Sequence, residues 1–459
     1  MLLYKQKNDT IVALSTPIGV SAIAVIRLSG DNCIEIAEQF WQGKKLSTQV
    51  GNIALFGKII NNKKEIIDEV VLTLFKAPKS FTKQNSVEIS CHGSAYIVQE
   101  IIQLCLLNGA RLAEAGEFTQ RAYLNGQFDL AQAEAIADLI HSDSKSSHQL
   151  AIAQMRGGFS QKIKDLRESL IRLAALLELE LDFSEEDVEF ANREQLYSQI
   201  IDLQVIIKNM IDSFVLGNVM KNGFSVAIIG KPNAGKSTLL NALLEEDRAI
   251  VSSIAGTTRD TIEEIKNING IKCRFIDTAG LRETNDTIEK IGIERTLKKT
   301  KEAQFIFYIF DTQITSITEL KQEEETIKNY QIPYLLVGNK IDLIDKKQLE
   351  FFEKIDNFIG ISAHNLLKIK ELETFLSNYI QSISSNASQI IISNVRHLYC
   401  LQNALDALKI VQNAVEIRLA TEMIASDLRQ AIYHLGSITG DITNEDLLDF
   451  IFSKFCIGK

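Results

Sequence analysis

Gly230, Gly235, Lys236 and Ser237 stand in the order G-x-x-x-x-G-K-S within FSVAIIGKPNAGKST, residues 224–238. Glycines at these two places let successive backbone N–H groups turn inward around a phosphate, and a helix opening at Thr238 adds the partial positive charge of its N-terminus. Lys236 reaches the β- and γ-phosphates, and the Ser237 hydroxyl is placed for Mg²⁺. The chemistry expected of this loop, which also contains Asn233 and Ala234, is the binding of a nucleoside triphosphate with its metal.

Further motifs select the base and the metal shell. The run Ser252-Ser253-Ile254-Ala255-Gly256-Thr257-Thr258 follows the loop, then Asp277-Thr278-Ala279-Gly280 ends the strand-like IKCRFI, then Asn339-Lys340-Ile341-Asp342 follows YLLVG, and Ser362-Ala363 follows Ile361. Order, spacing and strand context match a small GTP-binding domain. Thr258 is expected to complete the Mg²⁺ shell begun by Ser237, and Asp277 to hold the metal through water. Asp342 is the base reader: its carboxylate accepts from two adjacent guanine N–H groups, a pair that adenine lacks, so ATP would leave its oxygens unpaired. Asn339 braces the loops, Lys340 packs along the base, and the Ser362-Ala363 backbone meets the guanine carbonyl.

Hydrolysis needs its own argument. The position after the Asp-x-x-Gly glycine, where Ras-like switches carry a water-orienting Gln, is Leu281, which has no hydrogen-bonding group. Glu283 is the nearest carboxylate and can act through a bridging water. Its bland alternative is a solvated loop carboxylate. Asn233 offers a neutral oxygen beside the phosphates, and with Ser252, Ile254 and Thr257 it makes a candidate K⁺ site supplying the charge that an arginine finger supplies elsewhere.

These groups must be positioned by a long chain. At 459 residues it has room for about three domains. Apolar residues at 46% and charged residues at 24% fit a globular protein, and no run approaches the ~18 apolar residues of a membrane span. No signal-peptide core follows Met1, and the six cysteines are scattered without a CxxC pair, so a reducing cytoplasm is expected. A net charge of −10 gives bulk electrostatics no part in nucleic-acid binding, so an RNA partner needs a local basic patch or another protein. Apolar runs at 10–14, 22–28, 52–60, 70–75 and 87–90, with helical spacing over 95–107, predict an N-terminal α+β domain. Ile163, Leu166, Leu170, Leu173, Leu177 and Leu181 predict long amphipathic helices, and helical spacing returns through Leu398, Leu401, Leu405, Leu408 and Val415. Between them, strand and helix text alternate from 224 to about 380. The expected fold is therefore multidomain: an α+β domain at 1–122, a helical domain at 123–220 and 383–459, and an inserted α/β domain with a mostly parallel sheet at 221–382.

The insertion, GEFTQRAYLNGQFDLAQAEAIADLIHS at 116–142, DFSEEDVEF at 182–190 and the terminal Cys456-Ile457-Gly458-Lys459 together resemble the MnmE (TrmE) family of tRNA-modification GTPases, over essentially the whole chain. The resemblance implies a homodimer whose N-terminal domain binds folate and whose G domains meet in a K⁺-dependent way. It implies a heterotetramer with FAD-containing MnmG, and installation of aminomethyl or carboxymethylaminomethyl groups on C5 of the wobble uridine of certain tRNAs. The one-carbon donor implied is 5,10-methylenetetrahydrofolate, with 5-formyltetrahydrofolate as a related ligand. It makes Glu283 the catalytic carboxylate, and Arg27, Glu88, Gln127 and Lys459 the folate contacts. Many members carry Lys at the Gln127 position, and a GHGG-like turn is here Cys91-His92-Gly93-Ser94. Cys456 has two readings, an inert packing residue or, on the resemblance, a participant in the modification chemistry. His92 and His141 are read as structural. The rival function is a ribosome-assembly switch of the Era or Der type, but no GXXG helix pair follows residue 385 to supply its RNA module.

Overall fold

The computed structural model describes residues 9–182, 193–244, 263–277, 303–384, 390–443 and 445–458. The chain divides into two compact units, one of residues 1–141, 151–204 and 399–459, the other of 142–150 and 205–398.

In the first unit, the described residues begin with a seven-stranded sheet in the order β3-β4-β5-β6-β2-β1-β7. Its strands are β1 (Ile11–Leu14), β2 (Ser21–Ser29), β3 (Trp41–Gln42), β4 (Ile53–Ile60), β5 (Ile66–Phe75), β6 (Ser86–Gly93) and β7 (Arg111–Leu112). Alternation decides which face is covered. Along β5, Val70, Leu72 and Leu74 are buried while Glu69 and Val71 are exposed. Helices α1 (Cys33–Glu38) and α2 (Ala95–Leu107) cover the apolar face, packing Ile34, Ile36, Ile101 and Leu104 against Ile26, Leu72 and Ile89. Each fully buried aliphatic there contributes roughly 1.5–3 kcal/mol. The periodicity predicts the helix at 95–107 with its observed bounds. The two-residue strands β3 and β7 and the six-residue α1 are too short to show a period, and β5 begins four residues before the expected Val70 because Asp68-Glu69 interrupts its apolar run.

The helices that follow are α3 (Glu117–Leu124), α4 (Leu130–His141), α5 (Lys145–Met155), α6 (Gly158–Asp182), α7 (Arg193–Asp212) and α8 (Phe214–Asn222), of which α3, α4 and α6 lie in the same unit. The stripe Ile163, Leu166, Leu170, Leu173 and Leu177 is buried, and α6 packs along the helix Thr421–Thr439, which buries Ile424, Leu428 and Leu435. Ion pairs at Arg167–Asp441 (3.3 Å) and Arg193–Glu180 (2.7 Å) border this seam. On the helix Val395–Glu416 the buried stripe is Leu401, Ala404, Leu408, Val411 and Val415, with the expected Leu398 and Leu405 half-buried at its margin.

In the second unit, the described residues form a six-stranded sheet in the order β13-β12-β11-β8-β10-β9. Its strands are β8 (Phe224–Ile229), β9 (Glu263–Ile268), β10 (Ile271–Asp277), β11 (Phe305–Asp311), β12 (Tyr334–Asn339) and β13 (Phe358–Gly360). The pairs are parallel except β9–β10. β11 is buried at all seven positions, as a central parallel strand covered on both faces must be. Helix α9 (Lys236–Leu244) opens two residues before Thr238, because Gly235 turns the chain at φ +98° and its carbonyl already accepts from the Leu239 N–H at 2.8 Å. The helix Ile369–Ser384 runs into the polar 382–389 stretch.

Candidate functional site

The phosphate end of the site lies between the C-terminal end of β8 and the start of α9. Asn233 at φ +62° and Gly235 at φ +98° reverse the chain, and a Cβ on Gly235 would stand 2.2 Å from Asn339 Nδ2. Only glycine fits that approach. Lys236 Nζ donates to the carbonyls of Gly230 (2.8 Å) and Lys231 (2.9 Å), which bends the ammonium back over the loop. Ser237 and Thr238 are exposed in the first turn of α9, where unpaired N–H groups and the helix dipole favour anions. Ala234 is buried beneath them.

The base end is built from β12 and the segment after β13. Asn339 is 3% exposed and uses both ends of its amide: Nδ2 donates to the Ala234 carbonyl at 2.9 Å, and Oδ1 accepts from the Lys340 N–H (2.9 Å) and the Ala363 N–H (3.0 Å). One buried side chain thus ties the phosphate loop to the 362–363 turn. Lys340 sits at φ +67° and pairs with Asp311 at 2.5 Å. Asp342 is exposed and accepts from Asn365 Nδ2 at 3.1 Å, while Ser362 and Ala363 are buried. Together these segments line a cleft of about 860 Å³ that includes Lys236, Ser237, Asn339, Lys340, Asp342 and Ser362. A glycine cradle, a loop lysine, a hydroxyl at the helix start and an exposed carboxylate opposite form a donor set that fits a nucleoside triphosphate with its metal.

Asp277 ends β10 opposite Ile228 of β8. Ser252, Ser253, Ile254, Ala255, Gly256, Thr257, Thr258, Thr278, Ala279, Gly280, Glu283 and Lys459 lie outside the described residues.

The N-terminal sheet brings a second group together. Arg27 on β2 faces Glu88 on β6 in register, and Arg27 Nε donates to Glu88 Oε1 at 2.8 Å. The guanidinium lies 5.6 Å from the Phe81 ring and 5.7 Å from the Phe118 ring, a cation–π setting. The chain's end reaches the same place: Arg27 Nη1 (3.4 Å) and Ser15 Oγ (3.1 Å) both donate to the Gly458 carbonyl, and Ile457 bridges to Ala115. Gly458 takes φ +92°, and a Cβ there would lie 2.3 Å from the Leu14 carbonyl. Cys456 is exposed, while the other five cysteines are buried. Gln127 is exposed, its N–H held by the Ala122 carbonyl at 2.9 Å.

The ion cluster beneath the tail was not legible in sequence. Glu117, 3% exposed, accepts from Arg111 Nη2 (2.6 Å), Arg121 Nη2 (2.9 Å) and the Glu114 N–H (2.9 Å). Burial alone would raise the Glu117 carboxyl, but the Arg111 bond, the Glu114 N–H and the Arg121 charge outweigh it and hold the group below the usual carboxylate range. The GEFT text was the available signal, without showing where its carboxylate points. Asp311 and Asn365, partners of the base-end residues, carry no motif at all.

A family profile described as "GTP-binding protein TrmE N-terminus" matches residues 10–127, and one described as "MnmE helical domain" matches residues 130–456. The chain is 52% identical over 452 residues to the tRNA modification GTPase MnmE of Cytophaga hutchinsonii, covering 98% of each. It is 48% identical over 460 residues to that of Flavobacterium psychrophilum, covering 98% of this chain and 99% of the other. The protein of the same name from Bacteroides thetaiotaomicron is 47% identical over 466 residues, with 98% and 100% covered. A TrmE N-terminal domain, an MnmE helical domain and relatives of 47–52% identity matched over 98% of this chain place it in the MnmE family of tRNA modification GTPases.

Proposed function

We propose that this chain is the GTP-hydrolysing component of a complex that adds an aminomethyl or carboxymethylaminomethyl group to C5 of the wobble uridine of certain tRNAs. It is a GTPase of tRNA wobble-uridine modification, and it uses GTP with a metal. The observation that carries the reading is likeness over 98% of both chains to proteins named for that activity. Mass spectrometry of tRNA nucleosides from a strain lacking the protein tests it. Loss of the C5 substituents is expected; unchanged wobble uridines reject the reading.

The finer assignments extend this proposal. Ser237 and Thr258 hold Mg²⁺, Asp277 supports it through water, and Asp342 reads guanine. Asn233, with Ser252, Ile254 and Thr257, holds K⁺, whose charge offsets that developing on the leaving phosphate. The exposed position of Asn233 at the turn of the phosphate loop supports this. Glu283 orients the attacking water in place of the absent Gln. Turnover in K⁺ against Na⁺ at equal ionic strength separates the alternatives, since equal rates, or K⁺ stimulation that survives Asn233→Ala, defeat the cation assignment.

Arg27, Glu88, Gln127 and Lys459 take the tetrahydrofolate derivative. The Arg27–Glu88 pair supports this, because a carboxylate can pair with a pterin's guanine-like edge and a guanidinium with a carboxylate tail. Cys456, exposed on a tail seated beside Arg27, takes part in the modification chemistry. The protein acts in the cytoplasm as a homodimer and assembles with FAD-containing MnmG as a heterotetramer, with domains bounded at 1–122, 123–220, 221–382 and 383–459.

A further inference from the structure

Read from sequence, His92 is structural. Its surroundings argue otherwise. The ladder between β5 and β6 ends at Val71↔Ser90, while β6 continues to Gly93 against β2. Into the resulting gap Asp68 turns its carboxylate, 8% exposed, and accepts three hydrogen bonds: from the His92 N–H at 2.8 Å, from the Glu69 N–H at 2.9 Å, and from the His92 ring at Nδ1 at 2.7 Å. An ionised carboxylate can only accept, so with it Nδ1 is the protonated ring nitrogen and the Nε2 lone pair faces away from Asp68. The imidazole side chain is 70% exposed. A buried acid holding an exposed imidazole in one tautomer is the arrangement that makes a proton carrier. It is more than stabilising the strand end requires, since the two backbone bonds already do that.

Position gives the dyad a client. Side chains of Glu88, Ser90 and His92 alternate with buried Val87, Ile89 and Cys91, so the three lie on the same face of β6. Glu88 carries the Arg27 pair, and four residues of strand place His92 ~13 Å from it. That span suits an elongated ligand with its recognition edge at Glu88 and an ionisable nitrogen farther along. The other charged groups on neighbouring strands, Lys58 of β4 and Glu69 of β5, neutralise each other at 3.1 Å, and the facing segment of β2, Ser21 to Ala24, carries no charge.

We propose that Asp68 and His92 form a general acid–base dyad that serves a reduced folate bound at Arg27–Glu88. His92 Nε2 takes a proton from a ring or bridge nitrogen of the ligand and later gives it back, with Asp68 holding the imidazolium between the two transfers. This rests on the folate assignment above.

Nitrogen-15 NMR of the full-length protein tests it, with 5-formyltetrahydrofolate as the probe and wobble-uridine modification by the reconstituted complex as the second readout. The free protein should show His92 as the Nδ1–H tautomer, addition of the probe should shift the Nε2 resonance, and Asp68→Asn should abolish the tautomer preference. His92→Gln should melt within a few degrees of the parent, lower modification by about 100-fold or more, and remove one limb of its pH profile. A folded His92→Gln protein that modifies tRNA at the parent rate with an unchanged profile overturns the dyad while leaving the folate site standing. If the parent protein does not bind the probe at all, the folate assignment and the dyad fall together.

Discussion

The side-chain amide of Asn339 donates to the Ala234 carbonyl at 2.9 Å, joining two residues 105 positions apart. Its oxygen holds the Ala363 N–H at 3.0 Å, so three segments of the nucleotide cleft share one buried group. Asn339→Ala leaves the Ala234 carbonyl and the Ala363 N–H without that partner, at about 1–3 kcal/mol for each buried group. GTP affinity should fall on the order of 10- to 100-fold, read by fluorescent-nucleotide titration. Affinity within twofold of the parent would show that the brace does not shape the cleft.

Lys266 on β9 is 5% exposed, and its ammonium donates to the Leu243 carbonyl near the end of α9 and to Glu373 of the helix Ile369–Ser384, both at 2.6 Å. Lys266→Met keeps the stem's volume and removes the charge, leaving a carbonyl and a part-buried carboxylate without their partner. A loss of roughly 2–4 kcal/mol in the unit that holds the cleft is expected, measured as an earlier urea transition of the nucleotide-free protein. The double variant with Glu373→Leu should regain part of that loss, since no carboxylate is then stranded.

Thiol labelling separates the tail from the core. Burial pushes Cys33, Cys105 and Cys273 up to about 12 and Cys91 to about 11, so these thiols stay protonated and enclosed near neutral pH. Cys400 is buried as well, so the folded protein should take up one equivalent of iodoacetamide, at Cys456, by peptide mass spectrometry, and none after Cys456→Ser. Gly458→Ala, strained at φ +92° and pressed on the Leu14 carbonyl, should release the tail and speed labelling several-fold.

Acid stability should report the cluster under that tail. Glu117 is held below its ordinary range in the folded chain, and Asp9 is held low as well, because Arg111 and Arg121 together outweigh the burial that opposes ionisation. A depressed folded value stabilises the protein above the unfolded value of about 4.3, and this contribution is lost as pH falls through the folded value. Thermal midpoints should drop from pH 5 towards pH 3. Glu117→Gln should start lower and fall less steeply across that window; a parallel drop would assign the acid limb to other groups.

Sequence by itself determined the motif-bearing parts of this protein. The glycines and lysine of 230–236 admit few uses other than a phosphate cradle, because glycines at that spacing let successive N–H groups turn inward while the lysine supplies the opposing charge. Periods of two and of 3.6 marked the main strands and the long helices, since each such element must show one face to a core. Tertiary structure alone decided the rest, for a reason of distance. Glu88 meets Arg27 across 61 residues, the Gly458 carbonyl meets Ser15 across 443, and Asp68 reaches His92 across 24. No local pattern encodes such pairings: they arise where β2, β5, β6 and the chain's end are laid side by side. His92 shows the difference most plainly, a lone histidine in the linear text and an imidazole backed by a buried carboxylate once the strands part at Ser90.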